Sequence, residues 1–169
     1  MTITLRDATV DDLTSVGALH HRSRVAAYSA FLPPEALAAP SGEAMGWYWV
    51  ERWGWERDDH RMTVAERDGR LVGFSYVGPD DEGDPDTGLL HAIHLDPAER
   101  GRGTGRALMI DALDAIRAQG WHRAGLWVLE GNTGARRFYE HGGWQPTGES
   151  RPEVFGGTPT THLRYTRPL

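Results

Sequence analysis

The residues whose types and spacing could do chemistry fall in two runs, 91–106 and 132–139. In the first, Gly101, Gly103 and Gly105 alternate with Arg100, Arg102, Thr104 and Arg106, directly after an apolar stretch and directly before a helical pattern. Glycine tolerates the positive φ values that let consecutive backbone N–H groups converge on one anion. A helix that follows such a turn aims its unpaired N-terminal amides and the positive end of its dipole at the same point. The run therefore describes a phosphate cradle, with fixed positive charge from Arg100, Arg102 and Arg106. Two ionisable histidines, His91 and His94, lie just upstream on the apolar stretch.

Two familiar nucleotide sites do not fit. A dinucleotide turn needs G-x-G-x-x-G, but its third glycine would fall on Arg106, and no strand-end acid follows about 20 residues on. A P-loop needs G-x-x-x-x-G-K-[ST], and all 18 basic residues of this chain are arginine. The pattern that does fit is R-x-x-G-x-G, as Arg100-Gly101-Arg102-Gly103-Thr104-Gly105. It resembles the acyl-coenzyme A signature of the GCN5-related N-acetyltransferase (GNAT) superfamily. Other features fall in that superfamily's order: an N-terminal strand ahead of Asp11-Asp12, the strand ending Leu95-Asp96-Pro97, the run 132–140, and Gly142-Gly143-Trp144.

This resemblance implies an α+β fold, with a mostly antiparallel sheet flanked by helices and a splayed parallel strand pair at the acyl-CoA site. It implies acetyl-CoA as donor and a primary amine as acceptor. The turn from Arg100 to Arg106 would hold the pyrophosphate, and the backbone at Ile93, His94 and Leu95 would hold the pantetheine arm and polarise the thioester. Asn132 would contact the pantetheine. Tyr139, seven residues on and on the same helical face, would donate a proton to the departing sulfur. Asn132 also reads as an ordinary N-cap, and Phe138 reads as a better core residue than Tyr139.

The general base is expected on the central strand with a pKa near neutrality, which unperturbed histidine already has. Alternation puts residues 89, 91 and 93 on one face and 94 on the other unless a bulge intervenes. His91-Ala92-Ile93 resembles the His-Ala-Leu that carries a catalytic histidine in arylalkylamine N-acetyltransferases. Position 89, a glutamate or histidine in other members, is Leu89 here, so His91 stands ahead of His94, with a water relay or an acid of the 80–86 loop as further options.

The elements that must position these groups follow from period and punctuation. Residues 3–7 alternate as a strand, and Asp11-Asp12 open a helix toward Tyr28, ended by Pro33-Pro34. A stretch at 41–57 carries Met45, Trp49 and Trp53 at helical spacing. Tyr28 and Trp49 are the aromatic candidates for the acceptor wall, weighed against packing on the sheet. Residues 61–66 and 71–77 read as a hairpin, 89–95 as the central strand, 107–116 as a helix closed by Gly120, and 126–129 as a strand. A helix then runs from Asn132 to about His141 and a strand begins at Trp144. The segment 149–161 reads as a polar, glycine-rich connection before a last strand at 162–166.

A chain of 169 residues fits one domain, 1–169. With no cysteine it has no disulfide framework and no thiolate metal site, and neither a signal peptide nor a membrane span is evident. A cytoplasmic protein is expected. Net charge is −6, and acids gather at Asp80, Asp81, Glu82, Asp84 and Asp86, which argues against a nucleic acid partner and is compatible with a cationic acceptor or a plain solvated loop. The expected partner is a small amine, and homodimers are common in the superfamily. A protein amine as acceptor, or a CoA-binding sensor module with a degenerate acceptor site, are the competing readings.

Overall fold

The computed structural model describes residues 2–169. Seven strands form one sheet: β1 (Thr4–Asp7), β2 (Arg61–Arg67), β3 (Arg70–Pro79), β4 (Thr87–Leu95), β5 (Arg123–Leu129), β6 (Gln145–Phe155) and β7 (Thr158–Pro168), in the order β1-β2-β3-β4-β5-β7-β6. Every neighbouring pair is antiparallel except β4 and β5. Five helices flank the sheet: α1 (Leu13–Tyr28), α2 (Pro34–Leu37), α3 (Gly42–Glu56), α4 (Thr104–Ala118) and α5 (Thr133–His141).

One face of the sheet is covered by α1 and α3. Leu13, Val16 and Leu19 of α1 and Trp49 of α3 meet Met62, Val64, Phe74 and Tyr76 in a single cluster. The Ser41 hydroxyl caps α3 by accepting from the Ala44 N–H, and the Met45, Trp49, Trp53 face turns inward as its spacing predicts. On the other face Met109, Ala112, Leu113 and Ile116 of α4 pack with Leu90, Leu126, Val128, Tyr139, Trp144 and Tyr165. Gly120, at φ +90°, ends that helix where a side chain would be strained.

The parallel pair is short. Thr87, Gly88 and Leu89 pair with Arg123, Ala124 and Gly125, and beyond Leu89 the two strands part. From Leu126 onward β5 pairs only with β7, and β4 pairs only with β3. A wedge therefore opens between β4 and β5, bounded on one side by an unpaired edge of β4.

The segment 149–161 differs from its sequence reading. It is not a connection but most of a β6–β7 hairpin, turned at Gly156 and Gly157, both at positive φ. Its β6 side is polar and largely exposed on both faces of an edge strand, so the alternation that marks a half-buried strand is missing.

Helices α1 and α3 approach through two glycines. A Cβ on Gly17 would overlap the backbone N and Cα of Gly46, leaving no side chain to give way. Gly17→Ala should therefore destabilise the protein by about 2–3 kcal/mol through overpacking, read as a lower urea midpoint at unchanged m. An unchanged midpoint would show that α1 and α3 can separate freely.

Candidate active site

The wedge is shaped by an irregularity in β4. Tyr76 pairs with Ala92 but Val77 pairs with Leu90, so His91 is an extra residue, a β-bulge. The bulge resets the alternation. Leu90 packs with the α4 cluster, whereas His91 lies against Tyr76 and His60, and His94 lies against Phe74 and His20 on the α1/α3 face. Simple alternation would have put the two histidines on opposite faces; the bulge puts them on one.

Their environments differ. In His91, Nε2 lies 3.1 Å from the Pro79 carbonyl and Nδ1 lies 3.2 Å from Nη2 of Arg52. In His94, Nδ1 meets the Ser23 hydroxyl at 3.0 Å, and Nε2 has no hydrogen-bond partner among the described residues. Burial pushes both down to about 4, helped at His91 by Arg52 and at His94 by Arg24. Neither keeps the unperturbed value that the sequence suggested. His20, which accepts from the Trp49 indole N–H, is pushed by burial to about 2.

At the end of β4 the chain makes a short 3-10 turn at Pro97–Glu99 and enters the glycine turn, with Gly101 at φ +74° and Gly103 at φ +86°. Both glycines face open space, and the exposed side chains of Arg100 and Arg106 make no hydrogen bond or ion pair among the described residues. The organising group behind the turn is Glu99, only 4% exposed. Its carboxylate accepts from Arg67 Nε at 3.2 Å, Arg102 Nη1 at 3.3 Å and the Thr104 hydroxyl at 3.0 Å. Sequence reading missed Glu99; its one signal was an acid directly ahead of the arginine- and glycine-rich turn. Arg102 thus divides its charge between Glu99 and the cradle.

Tyr139 of α5 is 9% exposed and packs against Trp144 and Tyr165 in the cluster that includes Leu90 of β4. Its hydroxyl makes no hydrogen bond among the described residues and is not sealed from solvent, and burial pushes its pKa up. Phe138, favoured for the core, is instead 37% exposed and lies beside Gly105 at the start of α4. Asn132 caps α5 by accepting from the Ala135 N–H at 3.3 Å. Tyr28 packs with Phe31 and Phe155 at the hairpin tip, near enough to Tyr139 to raise its pKa further. Trp49, at 1% exposure, belongs to the core and offers no ring face to a ligand in this conformation.

The acidic loop is largely neutralised from within. Asp80 pairs with the buried Arg164 at 2.8 Å, Asp81 with Arg151 at 3.2 Å and Asp84 with Arg123 at 3.4 Å. Asp80 and Asp84, with Glu82, line a cavity of about 350 Å³ at the opposite end of β4 from the cradle. Among the described residues no cluster of three or more His, Asp or Glu could hold a metal, and no helix is long and apolar enough to cross a membrane.

An open strand edge leading into an arginine-rimmed glycine turn lies in a splayed mixed sheet, with Tyr139 in the cluster that packs against Leu90 and Ile93 of the same strand. The chain belongs to the acetyltransferase (GNAT) family, whose model matches residues 26–144. It is 30% identical over 149 residues to an uncharacterized N-acetyltransferase of Methanocaldococcus jannaschii, covering 85% of this chain and 61% of that one. It is 43% identical over 86 residues to the mycothiol acetyltransferase of Thermobispora bispora, covering 49% of this chain and 29% of that one. The chain thus spans less than two thirds of either relative. In fold it is similar to the PaiA N-acetyltransferase of Thermoplasma acidophilum, solved in complex with coenzyme A, at TM-score 0.78, 17% identity and full coverage of both chains. Acetyl-CoA is the donor in this family, and the features just described fit it: a turn whose Gly101 and Gly103 face open space, two arginine side chains with no partner among the described residues and an unpaired strand edge.

Replacing Glu99 by Ala should leave Arg67 and Thr104 without their buried acceptor. We expect a loss of about 3 kcal/mol in urea unfolding together with weaker coenzyme A binding by calorimetry. Intact stability and affinity would show that the turn holds itself.

Histidines held near neutral also make stability pH-dependent. The unfolded chain takes up protons below about pH 6.5, whereas folded His91 and His94 do so only near 4, so stability is full above pH 6.5 and falls as pH drops toward 4. Urea unfolding should show a loss on the order of 1–2 kcal/mol per histidine between pH 6.5 and 5, reduced in His94→Gln. A flat profile in this window would mean that the imidazoles are not held neutral.

Proposed function

We propose that the protein is an acetyl-CoA-dependent N-acetyltransferase that transfers an acetyl group by direct attack to the primary amine of a small molecule in the cytoplasm. The observation that carries this reading is the unpaired edge of β4, which runs from the wedge to the glycine turn, with Tyr139 in the cluster that packs against Leu90 and Ile93 of that strand. Acetyl-CoA, when bound, supplies an activated thioester.

Each remaining task falls to a group of this chain. The amides of the glycine turn with Arg100, Arg102 and Arg106 bind the phosphates, and the backbone of Ile93, His94 and Leu95 holds the arm and polarises the carbonyl. Asn132 fixes the first turn of α5 and so the direction of Tyr139. Burial keeps the Tyr139 phenol protonated, ready to give its proton to the departing sulfur. Of the two β4 histidines, His94 is the better-placed proton acceptor, since Ser23 engages one ring nitrogen and the other has no protein partner.

A small acceptor is favoured over a protein segment by the β6–β7 hairpin tip. Phe155 meets Tyr28 edge to face, and Gly156 sits so close to Ala36 that a side chain there would overlap its backbone. Contact between the tip and the α1–α2 region narrows the space an extended peptide would need.

The test is thiol release from acetyl-CoA with a colorimetric reagent across primary amines grouped by charge and aromaticity; a chain without cysteine adds no background. Turnover with one group supports the reading. Cofactor binding with silence across the panel would favour the sensor module or a protein acceptor. Tyr139→Phe should lower kcat by about 10-fold or more with unchanged cofactor affinity, and an unchanged kcat would remove Tyr139 from the mechanism.

A further inference from the structure

Both ring nitrogens of His91 are engaged, and the two partners together dictate where its proton sits. The Pro79 carbonyl can only accept, so Nε2 carries hydrogen; the Arg52 guanidinium can only donate, so Nδ1 presents its lone pair. One arrangement satisfies both, the neutral Nε2–H tautomer. A proton on Nδ1 would confront a guanidinium N–H.

Arg52 is itself restrained on several sides. Its Nε donates to Glu56 at 2.6 Å and its Nη1 to the Tyr48 hydroxyl at 2.9 Å. Its Cζ lies 5.4 Å from the Trp49 ring centre and 5.1 Å from that of Tyr76. Glu56 also accepts from the Tyr76 hydroxyl at 3.1 Å and lies 3.4 Å from His60 Nε2. The guanidinium cannot leave His91 without breaking a network that ties α3 to β3.

We propose that Arg52 is a positioning residue: it locks His91 as the neutral Nε2–H tautomer, which withdraws that imidazole from proton transfer and makes it a strut of the β4 bulge. The strut joins three elements, with Pro79 at the end of β3, the bulge in β4, and Arg52 in α3. Only the consequence for catalysis, that His94 and not His91 takes the proton of the acceptor amine, rests on the acyl-transfer reading. The lock is a property of the free protein.

The groups that face His91 are consistent with it. From α3 come Arg52, Tyr48 and Glu56; from the segment after α3, His60 and Asp59; and from β3, Tyr76 and the Pro79 carbonyl. Glu56, the one carboxylate in this network close enough to favour an imidazolium, is already bound by Arg52.

The experiment is long-range ¹H–¹⁵N NMR of the imidazoles in the free protein, with His91 assigned by its loss in His91→Gln. The expected result is a protonated Nε2 and an unprotonated Nδ1, unchanged from pH 8 to pH 5. In Arg52→Gln, which removes the charge and the fork, both tautomers should appear and the titration of His91 should move up by about 1 pH unit or more, toward the ordinary value of about 6.5. A protonated Nδ1 in the wild type, titration near pH 6 or above, or an unaltered His91 in a folded Arg52→Gln protein would each overturn the lock. The wild-type tautomer decides the question even where the variant does not fold. With an active enzyme, His94→Gln should abolish the acid limb of the pH–rate profile and His91→Gln should keep it. The reverse would overturn the catalytic consequence while leaving the NMR result standing, and loss of turnover in the wild type would bear on the proposed function alone.

Discussion

The separation of β4 from β5 after Leu89 is the constraint on which the rest of the structure depends. Backbone N–H and C=O groups buried without partners are costly, so a strand edge is left open inside a sheet only where something else holds the strand in place. Here β3 holds β4 on its other side and the bulge at His91 turns the strand toward the cradle, while β5 leaves to pair with β7. Helix α5 enters behind the gap and brings Tyr139 to it, and α4 starts at the far end, where its amides are unpaired. Cradle, open edge and phenol are three results of one parting.

The parts of this arrangement that the sequence made legible are those written locally. The glycine turn needs positive φ at Gly101 and Gly103, and glycine at those positions announces it. The 67–70 turn, the inward face of α3 and the stop at Gly120 are local in the same sense. The β6–β7 hairpin was hidden because a polar edge strand buries neither face. The chemical state of the histidines was hidden for another reason. Ser23 lies 71 residues from His94, and Arg52 lies 39 from His91, so no spacing rule connects them. A single bulged residue then moved His91 and His94 onto one face, and the burial of His94 and its neighbour His20 followed from how α1 lies across the sheet. At Phe138 and Tyr139 hydrophobicity pointed the wrong way, since the more apolar ring is exposed beside Gly105 and the phenol ring is the buried one.

Net charge was a poor guide to the local field. Three acids of the 80–86 loop are matched by arginines of β5, β6 and β7, so the excess of carboxylates in the composition does not become a free acidic surface beside the wedge. The exposed pairs add little stability. The buried pair of Asp80 and Arg164 instead fixes where the loop leaves β3, next to the Pro79 carbonyl that His91 engages.

The positive rim of the cradle is built only from guanidinium groups, Arg100, Arg102 and Arg106 around the turn and Arg67 behind Glu99. A guanidinium stays protonated at any pH the protein meets and its nitrogen lone pairs are delocalised, so it holds an anion without being a nucleophile. An ammonium in the same place would lose its proton for a fraction of the time beside an activated acyl group and could capture that group for itself. With no lysine and no cysteine in the sequence, a thioester held there would meet neither a side-chain amine nor a thiol. Its own side chains would therefore resist acylation by an activated acyl group held at the turn.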